Sequence, residues 1–491
     1  MKTKNRVSQE VRFLLLYTVL FALSAFLAFR FFPASGKRMV WKGDGLSQHY
    51  VALCYYARWG KAILRSILAG QPSFPTLNLH MGLGSDLFTT LQYYVIGDPF
   101  SLPAVFVPEQ HMLVFHDAMI LLRMYLAGIC FDRYCRAMGH GDMWENAAGA
   151  LVYVFSTFPL FGMRHPYFLN AMIWLPLLLL GAEHILRGKK GRLFTAAVFF
   201  SCISNFYFFY MLAVMGAAYI VWRALRIHLF PALREKTAGA AVRELFLLAG
   251  KFLGRALLGA AMGACFLLPI LLRFVQDPRV SGGTSQGMLY ALSYYARLPE
   301  AFISFGTDQT LEYWTCMGFG APGLISVLLL FLNAECRGRS GAGGGQENES
   351  AGEKNRRCPD KEWGIEGTGI GQGEASASGG GGAGRRHTDL KIAFIFMLAL
   401  VLLPLGGMAL NGFSYPANRW TWAFAMLVGY ITVVMLPSLT RLSLKKTVIL
   451  TALLAAYAGL CVRQGAADST RAELLLAVSV VIAARALASA A

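Results

Sequence analysis

Asp44 sits between two glycines in the run Trp41-Lys42-Gly43-Asp44-Gly45-Leu46-Ser47-Gln48-His49-Tyr50. A carboxylate flanked in this way can approach a substrate without side-chain crowding. Asp44 is therefore the candidate reactive group, a base able to take a proton from a hydroxyl. Glycine and aspartate are also what turns prefer, and a turn is the commoner reading of the motif alone. His49 lies one helical turn beyond Asp44 and can orient or share that proton, with Gln48 beside it. A lone interfacial histidine is more often just a polar side chain. The stretch Asn411-Gly412-Phe413-Ser414-Tyr415-Pro416-Ala417-Asn418-Arg419-Trp420 offers a cation, Arg419, whose guanidinium fork matches phosphate oxygens, with Tyr415 and Asn418 as polar neighbours. Met163-Arg164-His165-Pro166-Tyr167 is a compact polar turn supplying a second cation, Arg164, and a second imidazole, His165. An interfacial anchor is the commoner reading of such a turn.

Composition decides what must position these groups. The chain has 491 residues, 56% of them hydrophobic and 15% charged, with net charge +18, and its mean hydropathy is +0.49. That is too apolar for an ordinary soluble domain. Apolar runs long enough to cross a bilayer, which takes about 20 helical residues, recur along the whole chain. Backbone groups in lipid must be bonded within their own segment, so the expected fold is all-α and polytopic, with about eleven or twelve transmembrane helices. The positive charge lies mostly in short loops between apolar runs, where it marks the cytoplasmic side, and no nucleic-acid motif accompanies it. The nine cysteines form no C-x-x-C pair and no zinc spacing. They read as small apolar packing residues.

The first apolar segment, about 13–32, follows Lys2, Lys4, Arg6 and Arg12 and lacks a small-residue cleavage site, so it reads as a retained anchor with a cytoplasmic N-terminus. Asp44 is then external, within a large loop, 34–111. Inside that loop, 46–69 reads as an amphipathic helix in the headgroup plane. Its apolar side carries Tyr50, Leu53, Ala57, Leu64 and Leu68, and its cations are Arg58, Lys61 and Arg65. Gly82-Leu83-Gly84-Ser85-Asp86 matches a phosphate-binding loop poorly. Asp98, in Tyr93-Tyr94-Val95-Ile96-Gly97-Asp98-Pro99-Phe100, reads first as a cap for a helix starting at the proline. It is also a candidate to assist binding or hold a divalent ion, although two carboxylates without ligand spacing make a weak metal case.

Further spans are expected at 112–131, 144–162 and 170–186, the last ending at the basic cluster Arg187-Gly188-Lys189-Lys190-Gly191-Arg192. The stretch 193–221 must fold back near Asn205 if both flanking basic loops are to lie on one side. A span at 245–272 leads to an outer loop holding Asp277-Pro278 and an aromatic-rich segment suited to a lid or sugar-facing wall. Three units follow: an N-terminal bundle, 1–333; a Gly-rich cytoplasmic linker without packed structure, 334–390; and C-terminal membrane helices, 391–491. The chain stops without a polar tail, as a truncated one would.

Taken together, the Asp44 motif, Gly82 to Asp86, Tyr93-Tyr94 through Phe100, and Asn418-Arg419-Trp420 resemble the bacterial YfhO family of multispanning membrane proteins, in the family's order. The resemblance implies a GT-C-like bundle in the bacterial cell membrane that takes a sugar from a polyprenyl phosphate on the outer face. The acceptor it implies is a cell-envelope polymer of the teichoic acid type, or a glycolipid. YfhO-like chains generally run on well past this length, which implies missing parts. Attack on an anomeric carbon displaces a phosphate, so such a site needs a carboxylate for the acceptor's proton and cations for the leaving group. Asp44 with His49 would serve the first need. Arg419, then Arg164, would serve the second, with Asn418, Tyr415, Gln48, His165 and Asp98 lining the site. A transporter or flippase of a lipid-linked precursor is the rival, but it should place ionisable groups near the bilayer midplane. An envelope-assembly scaffold is a third reading.

Overall fold

A computed structural model describes residues 2–81, 84–231, 238–275, 287–304, 312–332 and 381–490. Gly82 and Leu83, the Asp277-Pro278 loop and most of the Gly-rich stretch lie outside the described residues.

Why α1 (Lys2–Phe29) forms a membrane helix is visible in its two faces. Phe13, Tyr17, Phe21 and Ala25, four residues apart, are buried, while Leu15, Val19, Leu23 and Phe26 on other sides are each more than half exposed. Large apolar side chains turned outward are what a lipid-facing helix requires. Among the described residues, seven helices are long and apolar enough to cross a membrane, and three shorter apolar helices accompany them. The protein is an all-α polytopic membrane protein, relieved among the described residues by a two-residue antiparallel pairing of Leu77–Asn78 with Ser85–Asp86. Fewer helices meet the length criterion than apolar runs suggest, because several traverses are short or broken. The run 144–162 divides at Phe155 and Ser156 into α4 (Met143–Val154) and α5 (Thr157–Gly162). The run 245–272 breaks at Gly263 between α9 (Ala238–Met262) and α10 (Ala264–Val275).

Between these, α2 (Tyr50–Leu68) continues a short π-helical turn, Gly45–His49; α3 (Met112–Ala137) and α6 (Asn170–Leu186) cross the bundle side by side. The expected reversal at Asn205 is present. There α7 (Arg192–Ser204) ends and α8 (Phe206–Ala224) begins. Trp174 Nε1 in α6 donates to Ser204 at the end of α7 (3.1 Å), whereas Arg223 at the end of α8 reaches Glu183 at the end of α6 (2.6 Å). One arm thus runs against α6 and the other along it. Asn205 makes the turn: its Oδ1 accepts from the amides of Tyr207 and Phe208 (3.0 and 3.1 Å), capping α8, and its Nδ2 donates to the carbonyl of Tyr93 (2.7 Å).

The later helices are α11 (Leu292–Ile303), α12 (Gly320–Phe331), α13 (Gly381–Leu402), α14 (Thr421–Met435), α15 (Leu444–Arg463) and α16 (Asp468–Ala490). α13 begins inside the stretch read from sequence as linker. At α4 and α14 the backbones meet through paired glycines: a Cβ on Gly149 would lie 2.6 Å from the carbonyl of Gly429, and one on Gly429 2.8 Å from that of Gly149.

The polar groups segregate to two ends. At one, Arg133 pairs with Glu10 (2.8 Å), Arg136 with Asp132 (2.7 Å), and Arg187 and Arg223 with Glu183 (2.9 and 2.6 Å), while Arg226 bonds Asp389. At the other end the loop 39–50 meets the start of α3, where the Met39 amide donates to Asp117 (3.2 Å), and the turn ahead of α6, where His49 bonds His165. The helix α2 packs there with Leu87, Leu91, Ala104 and Val105 as a small second core. Its buried face is Ala52, Leu53, Tyr56 and Ala57; Leu64 and Leu68, on the apolar side expected to lie in the headgroup plane, are exposed. Of its cations, Arg58 pairs with Glu109 (3.0 Å) and Lys61 donates to the carbonyl of Val107 (2.6 Å).

Candidate functional site

Trp41 explains the glycines around Asp44. A Cβ on Gly43 would stand 2.9 Å from the Trp41 ring, and one on Gly45 2.9 Å from Trp41 Cβ and 3.5 Å from the carbonyl of Arg164. The glycines admit this fold-over, which brings the Asp44 turn against the 163–167 turn; they are needed for close approach as well as for access. Asp44 is half-buried and accepts a hydrogen bond from Gln48 Nε2 (3.0 Å), while Gln48 Oε1 accepts from the Tyr94 hydroxyl (2.9 Å).

One turn on, His49 Nε2 shares a hydrogen bond with His165 Nδ1, joining two expected site residues from distant segments. Both imidazoles are buried. Burial, with His116 nearby, pushes His49 down to about 4; burial, then His49, Arg419 and Arg164, pushes His165 down to about 3. Both rings are neutral at physiological pH.

Aromatic rings enclose the pair. Tyr94 and Tyr167 stand 5.3 Å from His49, while Phe168 stacks on His165 at 4.7 Å and Trp314 stands 5.3 Å from it. The Arg419 guanidinium lies over Trp314 (4.8 Å) and Tyr207 (5.6 Å), and that of Arg164 over Phe161 (4.1 Å) and Trp41 (5.5 Å). Tyr93 stands between the acid and the cation: burial raises its hydroxyl most, the charge of Arg419 opposes, and that of Asp44 adds. Asp44 and Arg419 therefore belong to one cluster at one end of the bundle. Tyr415, also in the field of Arg419, is exposed at its rim.

Two expected site residues spend their side chains on protein partners. Asp98 is buried and saturated: it pairs with Arg123 (2.5 Å) and accepts from Asn170 (3.0 Å), Ser101 (2.6 Å) and the Phe100 amide (3.1 Å). No helix starts at Pro99; the chain turns there, and no oxygen of Asp98 is left to meet a divalent ion. Asn418 is also fully engaged, donating to Thr315 (2.8 Å) and Tyr294 (3.3 Å) and accepting from Trp420 (3.1 Å). It holds the Arg419 loop in place. Among the described residues no group of three or more His, Cys, Asp or Glu could hold a metal ion.

Sequence reasoning missed Trp314, Tyr207 and Tyr93. Trp314 and its neighbour Tyr313 adopt left-handed backbone (φ 59° and 63°), a conformation costing bulky residues roughly 1–3 kcal/mol. Strain of that kind has no sequence signature. Three side-chain atoms of the cluster, His49 Nδ1, His165 Nε2 and Arg419 Nε, are buried without a hydrogen-bond partner among the described residues, while the Tyr167 hydroxyl bonds that of Tyr93.

The family model described as bacterial membrane protein YfhO matches residues 15–341. The chain belongs to the YfhO family. A relative in this family, the uncharacterized protein YfhO of Bacillus subtilis (strain 168), is 28% identical over 278 residues, covering 52% of this chain. The chain spans 29% of the length of that relative. No solved structure matches it. The matched stretch of this YfhO chain holds Asp44, His49, Arg164 and His165; Arg419 lies beyond it.

Proposed function

We propose that this YfhO-family protein transfers a sugar from a polyprenyl phosphate to a cell-envelope polymer of the teichoic acid type, or to a glycolipid, on the outer face of the membrane. The observation that carries the reading is the gathering of unpartnered buried nitrogens of His49, His165 and Arg419 beside two guanidinium groups and a half-buried carboxylate. Buried polar groups are normally bonded, and a cluster left open points to a polar ligand. Arg419 and Arg164 would hold the phosphate, a geometry that suits their forked donors. Asp44 would take the acceptor proton, with Gln48 and Tyr94 fixing its carboxylate and Tyr415 at the entrance. Aromatic walls such as Tyr93, Tyr167 and Trp314 suit both the sugar and the first isoprene units.

The rival reading, transport of a lipid-linked precursor, draws on Arg123, a buried charge within a membrane span paired with Asp98. Its complete set of partners fits a structural clamp better than a moving gate.

Mass analysis of envelope polymers tests the proposal. Loss of the gene should remove one decoration; Asp44→Asn, inserted normally, should fail to restore it, with transfer down roughly 10²–10⁴-fold. Arg419→Ala should weaken donor binding by about 1.5–3 kcal/mol. Near-normal decoration with Asp44→Asn would remove Asp44 as base, and a precursor accumulating on the inner face would favour transport.

A further inference from the structure

The two imidazoles come from positions 116 residues apart and meet through a single shared hydrogen bond, His49 Nε2 to His165 Nδ1. Two neutral rings joined in this way carry one N–H at one outer nitrogen and one lone pair at the other. Moving the central proton exchanges which end donates. The outer atoms are His49 Nδ1 and His165 Nε2, both buried and both without a partner among the described residues.

These ends have different surroundings. His49, with Tyr94, Asp98, His116, Arg123 and Tyr167, lines an open recess with about 350 Å³ of empty space, its mouth included. Across that recess the charges of Asp98 and Arg123 cancel in their ion pair. His165 is not part of its wall; it lies between Phe168 and Trp314, in the field of Arg164 and Arg419.

We propose that His49 and His165 form a proton relay that carries a proton from solvent in the recess to the leaving phosphate of the donor. The destination rests on the reading that Arg164 and Arg419 bind that phosphate. As the bond between the anomeric carbon and the phosphate oxygen breaks, its electron pair stays on oxygen, and His165 Nε2–H gives that oxygen its proton. His49 Nε2–H passes its proton to His165 Nδ1, and a solvent proton enters at His49 Nδ1. The acceptor hydroxyl, forming the new bond to the anomeric carbon, loses its proton to Asp44, which returns it to solvent. In the chemical step the relay takes one proton from the recess and gives one to the phosphate, and Asp44 passes the acceptor's proton to solvent; resetting the rings takes one more proton at His165 Nε2 and returns one to the recess from His49 Nδ1. Both rings finish neutral with their protons on Nδ1, and water at the phosphate site resets them by the reverse passage.

Neutrality throughout is what the surroundings favour. Tyr94, Tyr167 and His116 face His49, and Arg164, Arg419 and Tyr167 face His165; none supplies a negative charge to stabilise an imidazolium.

Nitrogen NMR of the full chain, labelled with ¹⁵N-histidine in detergent micelles, tests the relay with a long-chain polyprenyl phosphate as probe. A nitrogen–nitrogen coupling across the shared hydrogen bond is expected, lost in His49→Gln and His165→Gln while the His116 signals report an intact fold. Adding the probe should move the protonated nitrogen of both rings together, and Arg419→Ala should suppress that response. Absence of the coupling in the wild-type protein overturns the relay whether or not the probe binds. Coupling with a response confined to His165 also overturns it, leaving a structural pair. If the probe does not bind at all, the donor reading falls, and the proposed destination of the proton falls with it, while the coupling still reports on the pair.

Discussion

His49 and His165 govern the pH behaviour expected at the candidate site's end of the bundle. An imidazole held below its ordinary pKa of about 6.5 binds a proton less well in the folded than in the unfolded chain. Stability from this source is complete above about pH 6.5 and is lost as pH falls through the depressed values of about 4 for His49 and about 3 for His165. Within that window the expected slope is roughly 1.4 kcal/mol per pH unit for each ring. Thermal unfolding in micelles between pH 8 and pH 4.5 should show a falling midpoint below pH 6.5, flattened in His165→Gln; an equal slope in the variant would argue against the assignment. At this scale the sequence was informative about type and poor about partner. The Gly-Asp-Gly setting of Asp44 was legible because close backbone approach needs glycine. The protein partners of Asn418 were not legible, because an amide facing a substrate and one facing Thr315 have the same code. The bond between His49 and His165 joins positions too far apart for any spacing rule to reach.

Among elements, the reversal at Asn205 illustrates what periodicity can and cannot supply. Two basic clusters required the chain to turn back, and the short polar break marked the place. That the same side chain also bonds the Tyr93 carbonyl, tying the hairpin to the site, has no local signal. Asn205→Ala should lose the α8 cap, worth about 1 kcal/mol, and the Tyr93 tether, worth roughly another 1 kcal/mol. A lowered unfolding midpoint is expected, with a change in Tyr93 environment read by fluorescence or labelling; an unchanged midpoint would sink the claim that this cap matters. The run 170–186 was legible to its last residue because asparagine opens it and arginine closes it. The break at Phe155 and Ser156 was not, since neither residue is a strong breaker and packing decides the kink.

For the whole molecule, the segregation of charge yields a topology prediction. Arg133, Arg136, Arg187, Arg223 and Arg226 share one end with the start of α1, and short basic loops favour the cytoplasm. In a cysteine-free background, Lys42→Cys in intact cells should react with a membrane-impermeant maleimide, and Lys189→Cys should react only after the membrane is opened. The reverse pattern would invert the bundle and place the candidate site inside. Fold class was readable because the solvent selects it: lipid leaves helices as the solution for apolar runs.

The contact of Arg226 with Asp389 belongs to a seam that also includes Tyr294 with Val401 (2.9 Å), Thr315 with Asn418 (2.8 Å) and Tyr207 with Asn411 (2.6 Å). Each pairs a residue before position 333 with one after position 380. The candidate site is accordingly composite, acid and imidazoles from the first piece of chain and the Arg419 guanidinium from the second. Two separately made polypeptides, divided within 333–380, would carry matching halves of the seam, and an inactive Asp44 copy of one could be rescued by supplying its intact counterpart in trans.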